Sequence, residues 1–249
     1  MAHTADSNST ENSKTVGEKT SEQLLSLVRK VTTTGIGSLS GSTVWAENRL
    51  ARVQGDRYVP TTTPLRPIRP GEQEDIDRTI KRLIRESVEA ASVNGFVTSL
   101  GGFITMPVTI PANIAGAIVI NARLAAAIAY LRGYDPQDPH VATVALLVAT
   151  GSNAQQVAKS FGIKVGEKFA MQAIRKFPMS VVRAINKKVG FSLITKYGTK
   201  RSAITLSKGI PLVGGVIGGT VDATSTALVG RTARAMFPHD SGAGTRDMP

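Results

Sequence analysis

The chain has 249 residues, a formal net charge of +12 at pH 7 and no cysteine. Its length is enough to bury a sizeable hydrophobic core, and the lack of cysteine excludes a disulfide scaffold, a thiolate metal site and a cysteine nucleophile. Residues 1–20 are polar and contain no apolar stretch, so we predict that they form a disordered tail rather than a secretory signal, and that residues 238–249 form a second tail.

Residues 21–71 are predicted to form an N-terminal helical arm followed by a proline-rich connector. A first helix over about 21–32 has leucines and valines at helical spacing, and a second over about 44–53 carries Trp45, the only tryptophan. Four prolines between residues 56 and 71 are incompatible with a regular helix or a central strand. This connector is therefore expected to be extended and to separate the arm from the main body.

The main body is predicted to begin at Glu72, with the clearest helical pattern in the chain. Glu72, Glu74 and Asp75 lie in the first turn, where the helix dipole favours acidic side chains. Apolar residues then recur with a period of 3.6 residues as far as Ala91, while the opposite face carries charged residues. These features predict an amphipathic helix with one face packed against the rest of the protein.

A run of 33 residues without a charged side chain covers positions 90–122. Its length alone would admit a membrane-spanning helix, but Pro107 and Pro111 interrupt it. We therefore predict a helix or hairpin that ends near Thr105, a turn bounded by the two prolines, and a second helix over about 110–131 that ends at Gly133.

The remaining predicted elements are also helical. They are an uncharged helix over 141–157 that begins at Asp138 or the adjacent prolines, a basic amphipathic stretch that ends at Pro178, a helix over 179–189 and a glycine-rich helix over about 211–236. Glycines four residues apart in the last helix permit close approach of another helix. The sequence thus predicts an all-α fold, a single multi-helix bundle with glycine-rich apolar helices at its centre.

Three stretches of the main body carry distinctive motifs. They read GFVTSLGGFITMPVTIPAN, ARLAAAIAYLRGYDPQD and KGIPLVGGVIGGTVDATSTALVGRTARAMF. Together they resemble the EcsC family of bacterial proteins, over residues 72–237, with Asp222 where that family commonly has asparagine. The resemblance implies an all-helical domain associated with membranes or with transport genes, and it suggests a membrane transport complex as a partner. It implies no catalytic residue.

Catalytic motifs are missing from the sequence, so an enzyme is the less favoured interpretation. His140 is the one histidine of the main body, and the chain lacks the nucleophile-elbow, zinc-protease and nucleotide-binding signatures. We predict no metal site and no cofactor.

One polar site is nevertheless predicted within the apolar centre. Asp222 is the only charged residue in the first half of the last helix, and Arg123 is a natural partner because a buried carboxylate must be paired, hydrated or neutralised. Asp135 and His140 are further candidates, although turn and capping roles are favoured for them. A hydrolase that acts on a lipid-like substrate, built around Asp222 and Arg123, is the alternative function.

Nearly all of the net charge lies between Lys159 and Lys208. This window holds twelve lysines and arginines and a single acid, Glu167, so it carries +11 of the total +12. Basic helices with phenylalanines nearby can dock on anionic lipid headgroups. The residues predicted to make these contacts are Lys164, Lys168, Arg175, Lys176, Arg183, Lys187 and Lys188.

This basic window also allows two other interpretations, a solvated helix face and nonspecific binding of nucleic acid, although no nucleic-acid recognition motif is present. The favoured expectation is a cytoplasmic protein attached peripherally to membranes, with anionic lipids as its partners. Such a protein would hold apolar chains or insert the hairpin around Pro107 and Pro111.

Overall fold

The computed structural model describes residues 22–23, 25–37, 39–61, 65–92, 112–151, 154–163, 170–190 and 211–239. At residues 92, 112–115, 170, 173 and 211–222 it describes the backbone alone. The predicted tail at 1–20, most of the tail at 238–249 and the predicted hairpin around Pro107 and Pro111 lie outside the described residues.

The described chain is predominantly helical, which confirms the all-α prediction. Helix α1 covers residues 22–23 and 25–33, and a hairpin pairs β1 (Gly35–Ile36) with β2 (Leu39–Ser40). The following helices are α2 (Ser42–Gln54, continued by a 3-10 turn at Gly55–Arg57), α3 (Gln73–Ser92), α4 (Ala112–Leu131), α5 (Pro139–Ala149), α6 (Ala154–Lys159), α7 (Ala170–Arg175), α8 (179–190) and α9 (Pro211–Met236).

The short hairpin turns the chain back from α1 to α2. Gly35 has a φ of +89°, a backbone conformation that side chains with a Cβ rarely adopt, and a Cβ at Gly41 would lie 2.0 Å from the carbonyl oxygen of Thr33. The Ser42 hydroxyl donates a 2.6 Å hydrogen bond to the carbonyl of Thr32. The sequence indicates a helix break here but not the pairing, because two-residue strands leave no alternating pattern.

Helix α4 lies at the centre of the described bundle. It packs against α2, α3, α5 and α9, and between residues 118 and 131 every side chain except that of Arg123 is buried. A helix that is apolar all round is expected in the core of a protein or within a membrane. Helix α5 is buried over most of its length as well, so α4 and α5 together form the centre of the described bundle.

The ends of α4 and the start of α5 follow the predicted signals. Gly133 has a φ of +89° and closes α4, with hydrogen bonds from its own N–H to Tyr130 O and from Tyr134 N–H to Ala129 O, both 3.0 Å. Asp138 caps α5, because its Oδ1 accepts hydrogen bonds from the backbone N–H groups of residues 140 and 141.

The proline-rich connector is tied to the helices by Arg66, whose side chain is fully buried. Its guanidinium donates hydrogen bonds of 3.1 and 3.3 Å to the carboxylate of Glu72, and its Nε lies 3.3 Å from Glu47 Oε1, an ion pair rather than an aligned hydrogen bond. Glu47 also accepts hydrogen bonds from the hydroxyls of Tyr58 (2.5 Å) and Tyr130 (2.8 Å). We call these five residues the Arg66 cluster.

The protonation of the cluster follows from this arrangement. Burial would raise the pKa of Glu72, but hydrogen bonds from Gln54 and the Arg69 backbone and the charges of both arginines outweigh it, so the pKa lies below its ordinary value. Burial and the neighbouring Glu47 raise the pKa of Tyr58 to about 12. At neutral pH Glu72 is thus ionised and Tyr58 remains a hydrogen-bond donor.

Replacing Arg66 with methionine should lower the free energy of unfolding by about 3–5 kcal/mol, because two carboxylates then remain near the core without their shared cation. The matched control is Arg85→Met. Arg85 also pairs with a carboxylate, Glu89, but both side chains are about two-thirds exposed, so we expect a loss below about 1 kcal/mol. Urea denaturation followed by circular dichroism measures both variants, and equally small losses would contradict the role of Arg66.

Candidate functional site

Five of the seven side chains predicted to contact anionic lipid are described, and all five are exposed. Two follow one another at the end of α7, and three belong to α8. They are Arg175, Lys176, Arg183, Lys187 and Lys188, and we call them the basic face. Lys164 and Lys168 lie outside the described residues.

Helix α8 is amphipathic, with a buried apolar side and an exposed basic side. Val182, Ile185 and Val189 are buried in the core, while Arg183 and Lys187 are one turn apart on the exposed side. The helix follows Pro178, whose carbonyl accepts the first hydrogen bonds of the helix, from residues 181 and 182. The buried side fixes the orientation of α8, so its cations point outward.

Two cations of the basic face lie over aromatic rings. The Arg175 guanidinium is 5.1 Å from the centre of the Tyr134 ring, and the Lys188 ammonium is 5.6 Å from the centre of the Phe161 ring. Such contacts contribute about 0.5–1 kcal/mol at exposed sites. They leave the charged groups accessible while they restrict where the two side chains lie.

A cavity of about 570 Å³ adjoins α8 and is bordered also by α1, α4 and α5. Arg183 belongs both to the basic face and to the edge of this cavity. The charged surface and the cavity are therefore neighbours that share a side chain.

Arg123 lies on the other side of α4, beside the hairpin and α2. Its Nε donates a 2.9 Å hydrogen bond to the carbonyl of Ser40, its Nη2 donates a 3.1 Å hydrogen bond to the Ser40 hydroxyl, and its guanidinium lies 4.1 Å from the centre of the Trp45 ring. Burial and the nearby Arg49 lower the pKa of Arg123 to about 10, although Glu86 acts in the opposite direction. Arg123 is thus still charged at neutral pH.

The other predicted polar-site residues have different partners from Arg123. Asp135 Oδ1 accepts a 2.8 Å hydrogen bond from the backbone N–H of Gln137, a turn role. His140 Nε2 donates a 3.0 Å hydrogen bond to the carbonyl of Phe177, so it joins α5 to the turn before α8. The side chain of Asp222 lies outside the described residues, so its pairing with Arg123 stays a prediction.

A charged group that the sequence did not single out lies next to Arg123. Arg49 Nε is shared between both carboxylate oxygens of Glu86, at 2.9 and 2.8 Å, and Arg82 Nε donates a 3.0 Å hydrogen bond to the same carboxylate. Together with Trp45 and Arg123, Arg49 and Glu86 border a smaller cavity of about 170 Å³. Helical periodicity places Glu86 among the charged residues on the opposite face of α3. It gives no indication of Arg49, which is 37 residues away in the sequence.

The sequence profile of the EcsC protein family matches residues 2–238. The chain belongs to the EcsC protein family. The match begins well before residue 72, so it includes the N-terminal arm and the connector as well as the main body. Searches among curated proteins and among solved structures found no significant match for this EcsC protein.

None of the helices in the described part of this EcsC protein has the length and apolar character needed to cross a membrane. Within the same residues, histidine and acidic side chains form no group that could hold a metal ion.

Arg123→Met should lower the free energy of unfolding of the EcsC protein by about 1–3 kcal/mol, because the Ser40 carbonyl and hydroxyl lose charged hydrogen bonds and the Trp45 ring loses its cation. Trp45 is the only tryptophan, so the emission maximum should also shift on substitution. Arg52→Met, at an exposed position of α2, is the control and should change neither quantity appreciably. Unchanged emission in Arg123→Met would contradict the stacked geometry.

The Arg49–Glu86–Arg82 group should also contribute to acid sensitivity. Burial would raise the pKa of Glu86, but hydrogen bonds and charges from both arginines outweigh it and hold the pKa below the ordinary 4.5. A lowered pKa stabilises the folded state above the unfolded value, and this contribution is lost as pH falls through the folded value. Unfolding free energies measured from pH 6 down to pH 3 should therefore fall less steeply in Glu86→Gln than in the wild type; equal slopes would contradict this.

Proposed function

We propose that this EcsC protein is a peripheral membrane protein that docks on anionic lipid through the basic face. The observation that carries the proposal is the arrangement of α8, where Arg183, Lys187 and Lys188 are exposed and the opposite side is buried in the core. A docking helix of this kind presents cations to headgroups without unfolding any part of the protein.

The charge around α8 is unbalanced, and this favours an anionic partner. No aspartate or glutamate occurs between residues 168 and 221, so this stretch of the sequence carries positive charge alone. Each lysine or arginine close to an anionic leaflet contributes about 1 kcal/mol. Five such side chains would suffice for reversible binding that weakens as salt rises.

An exposed apolar side chain beside the basic face also supports the docking proposal. Met179, at the first position of α8, is 41% exposed, although methionine is usually buried. A flexible apolar side chain at the edge of a cationic surface can enter the interface between headgroups and acyl chains. The setting we propose is the cytoplasmic leaflet, whose anionic lipids give it a negative surface potential, with an accessory role in transport or secretion.

The alternative function, a hydrolase for lipid-like substrates, rests on a polar site around Asp222 and Arg123. The described contacts of Arg123 are those with Ser40 and Trp45, which hold the hairpin against α2 and α4. Because these contacts give Arg123 a structural role, no described observation favours the hydrolase over docking.

The docking proposal is tested by sedimentation with vesicles of phosphatidylcholine alone and with added phosphatidylglycerol. We expect recovery only with the anionic vesicles, at low salt, and a loss of at least about tenfold in apparent affinity for the double variant Lys176→Glu/Lys188→Glu. The control is Arg52→Glu/Lys81→Glu, which makes the same change in net charge at exposed positions of α2 and α3. This control should lose less affinity for anionic vesicles than Lys176→Glu/Lys188→Glu does.

Equal recovery with neutral and anionic vesicles would contradict electrostatic docking. Equal losses for the two charge variants would mean that net charge, and not the basic face, determines binding. Duplex DNA serves as a competitor at the same salt concentration, and displacement of the protein by DNA at a lower phosphate concentration than that of the vesicles would favour the nucleic-acid interpretation instead.

A further inference from the structure

The cavity beside α8 has the size and the position of a ligand site. Its volume is about 570 Å³, within the range of about 300–1,000 Å³ that small-molecule sites occupy. It is bordered by four helices, α1, α4, α5 and α8, and by the turn before α5. Exposed residues, among them Arg183, Gln137 and Ala142, form part of its border, so it is open to solvent at that edge.

The inner wall of the cavity is apolar and is made largely of small side chains. Helix α4 contributes Ala122 and Ala126, and α5 contributes Ala145. Larger apolar side chains come from α1 and α8. Because alanine leaves space that leucine or phenylalanine would fill, the wall suits a hydrocarbon chain.

The polar border of the cavity is cationic. Arg29 on α1 and Arg183 on α8 are both exposed, and neither pairs with an acid among the described residues. The hydroxyls of Thr32 and Thr33 already donate to backbone carbonyls of α1. Charged donors from two helices at one opening match an anionic group.

We infer that this cavity binds one single-chain lipid with an anionic headgroup. The acyl chain lies against the alanines of α4 and α5, and the anionic group lies at Arg29 and Arg183. The inference deepens the proposed function, because docking on a bilayer through α8 would bring the cavity to a source of such lipids. Binding of the lipid from solution does not itself require docking.

The direct test titrates the whole protein with lauroyl glycerol 3-phosphate below its critical micelle concentration, by calorimetry and by native mass spectrometry. We expect a 1:1 complex at least tenfold tighter than that with glycerol 3-phosphate, which lacks the chain, and severalfold tighter than that with monolauroyl glycerol, which lacks the phosphate. Binding no tighter than that of glycerol 3-phosphate would overturn the inference. Equal binding of monolauroyl glycerol would overturn the assignment of the anionic group to Arg29 and Arg183.

Two variants locate the site. Ala142→Phe places a ring at the cavity from an exposed position, where it should not disturb folding, and we expect at least a tenfold loss of affinity. Val44→Phe makes a similar change at an exposed position of α2 away from the cavity and should bind as the wild type does. Arg29→Met removes a cation from the border of the cavity and should lower the preference for lauroyl glycerol 3-phosphate over monolauroyl glycerol. Unchanged lipid binding in both cavity variants would contradict the location of the lipid site in this cavity.

The same variants separate this inference from membrane docking. Ala142→Phe should still sediment with anionic vesicles but should not form the 1:1 complex. Lys176→Glu/Lys188→Glu should form the 1:1 complex but should not sediment with anionic vesicles. Vesicle binding by a wild-type protein that forms no 1:1 complex would contradict the inference of a lipid site, but it would not contradict membrane docking. A 1:1 complex without vesicle binding would contradict the docking proposal and not the inference of a lipid site.

Discussion

The buried guanidinium of Arg66 is the contact on which the described fold most depends. It joins the proline-rich connector to Glu47 on α2 and to Glu72 just before α3, and through Glu47 it reaches Tyr130 on α4. A segment with so many prolines cannot pair its backbone in a helix or a central strand, so its attachment must come from side chains. Removing the cation would leave Glu47 and Glu72 side by side. The connector, α2, α3 and α4 are therefore expected to depend on one another for their packing.

The two halves of the chain use their cations differently. In the part of the chain before α5, Arg49 has an acidic partner in Glu86, and Arg132 has one in Asp77. In the C-terminal half α8 contains three cations and no acid. Because the first set is neutralised internally, it holds the helices together. The second set is exposed on the surface of the described structure, and this difference is the physical basis of the proposed function.

Much of the architecture could be predicted because the signals are local. Gly133 and Asp138 mark the end of α4 and the start of α5 through backbone geometry and capping, which involve only a few neighbouring residues. The exposure of the cations on α8 follows equally from the apolar period of that helix. The prediction that the proline-bounded hairpin inserts into lipid concerns residues outside the described part of the chain.

Side-chain partners across the fold could not be predicted in the same way. The Arg66 cluster and the Arg49–Glu86 pair join residues far apart in the sequence, and periodicity gives the face of a helix but not its neighbour. Arg123 was expected to need a carboxylate, yet its described partners are a carbonyl, a hydroxyl and an aromatic ring. The cavity beside α8 likewise depends on how four helices meet, which alanines in a sequence do not reveal.

The central claim, that α8 faces the membrane, can be measured directly because the chain has no cysteine and accepts a single spin label. Ala184→Cys places the label on the exposed side of α8, and Val44→Cys places it on α2. With anionic vesicles, the label at position 184 should become immobilised and more accessible to oxygen than to a water-soluble nickel chelate, while the label at position 44 should not change. Equal responses at the two positions, or no response at 184 in vesicle-bound protein, would contradict the account.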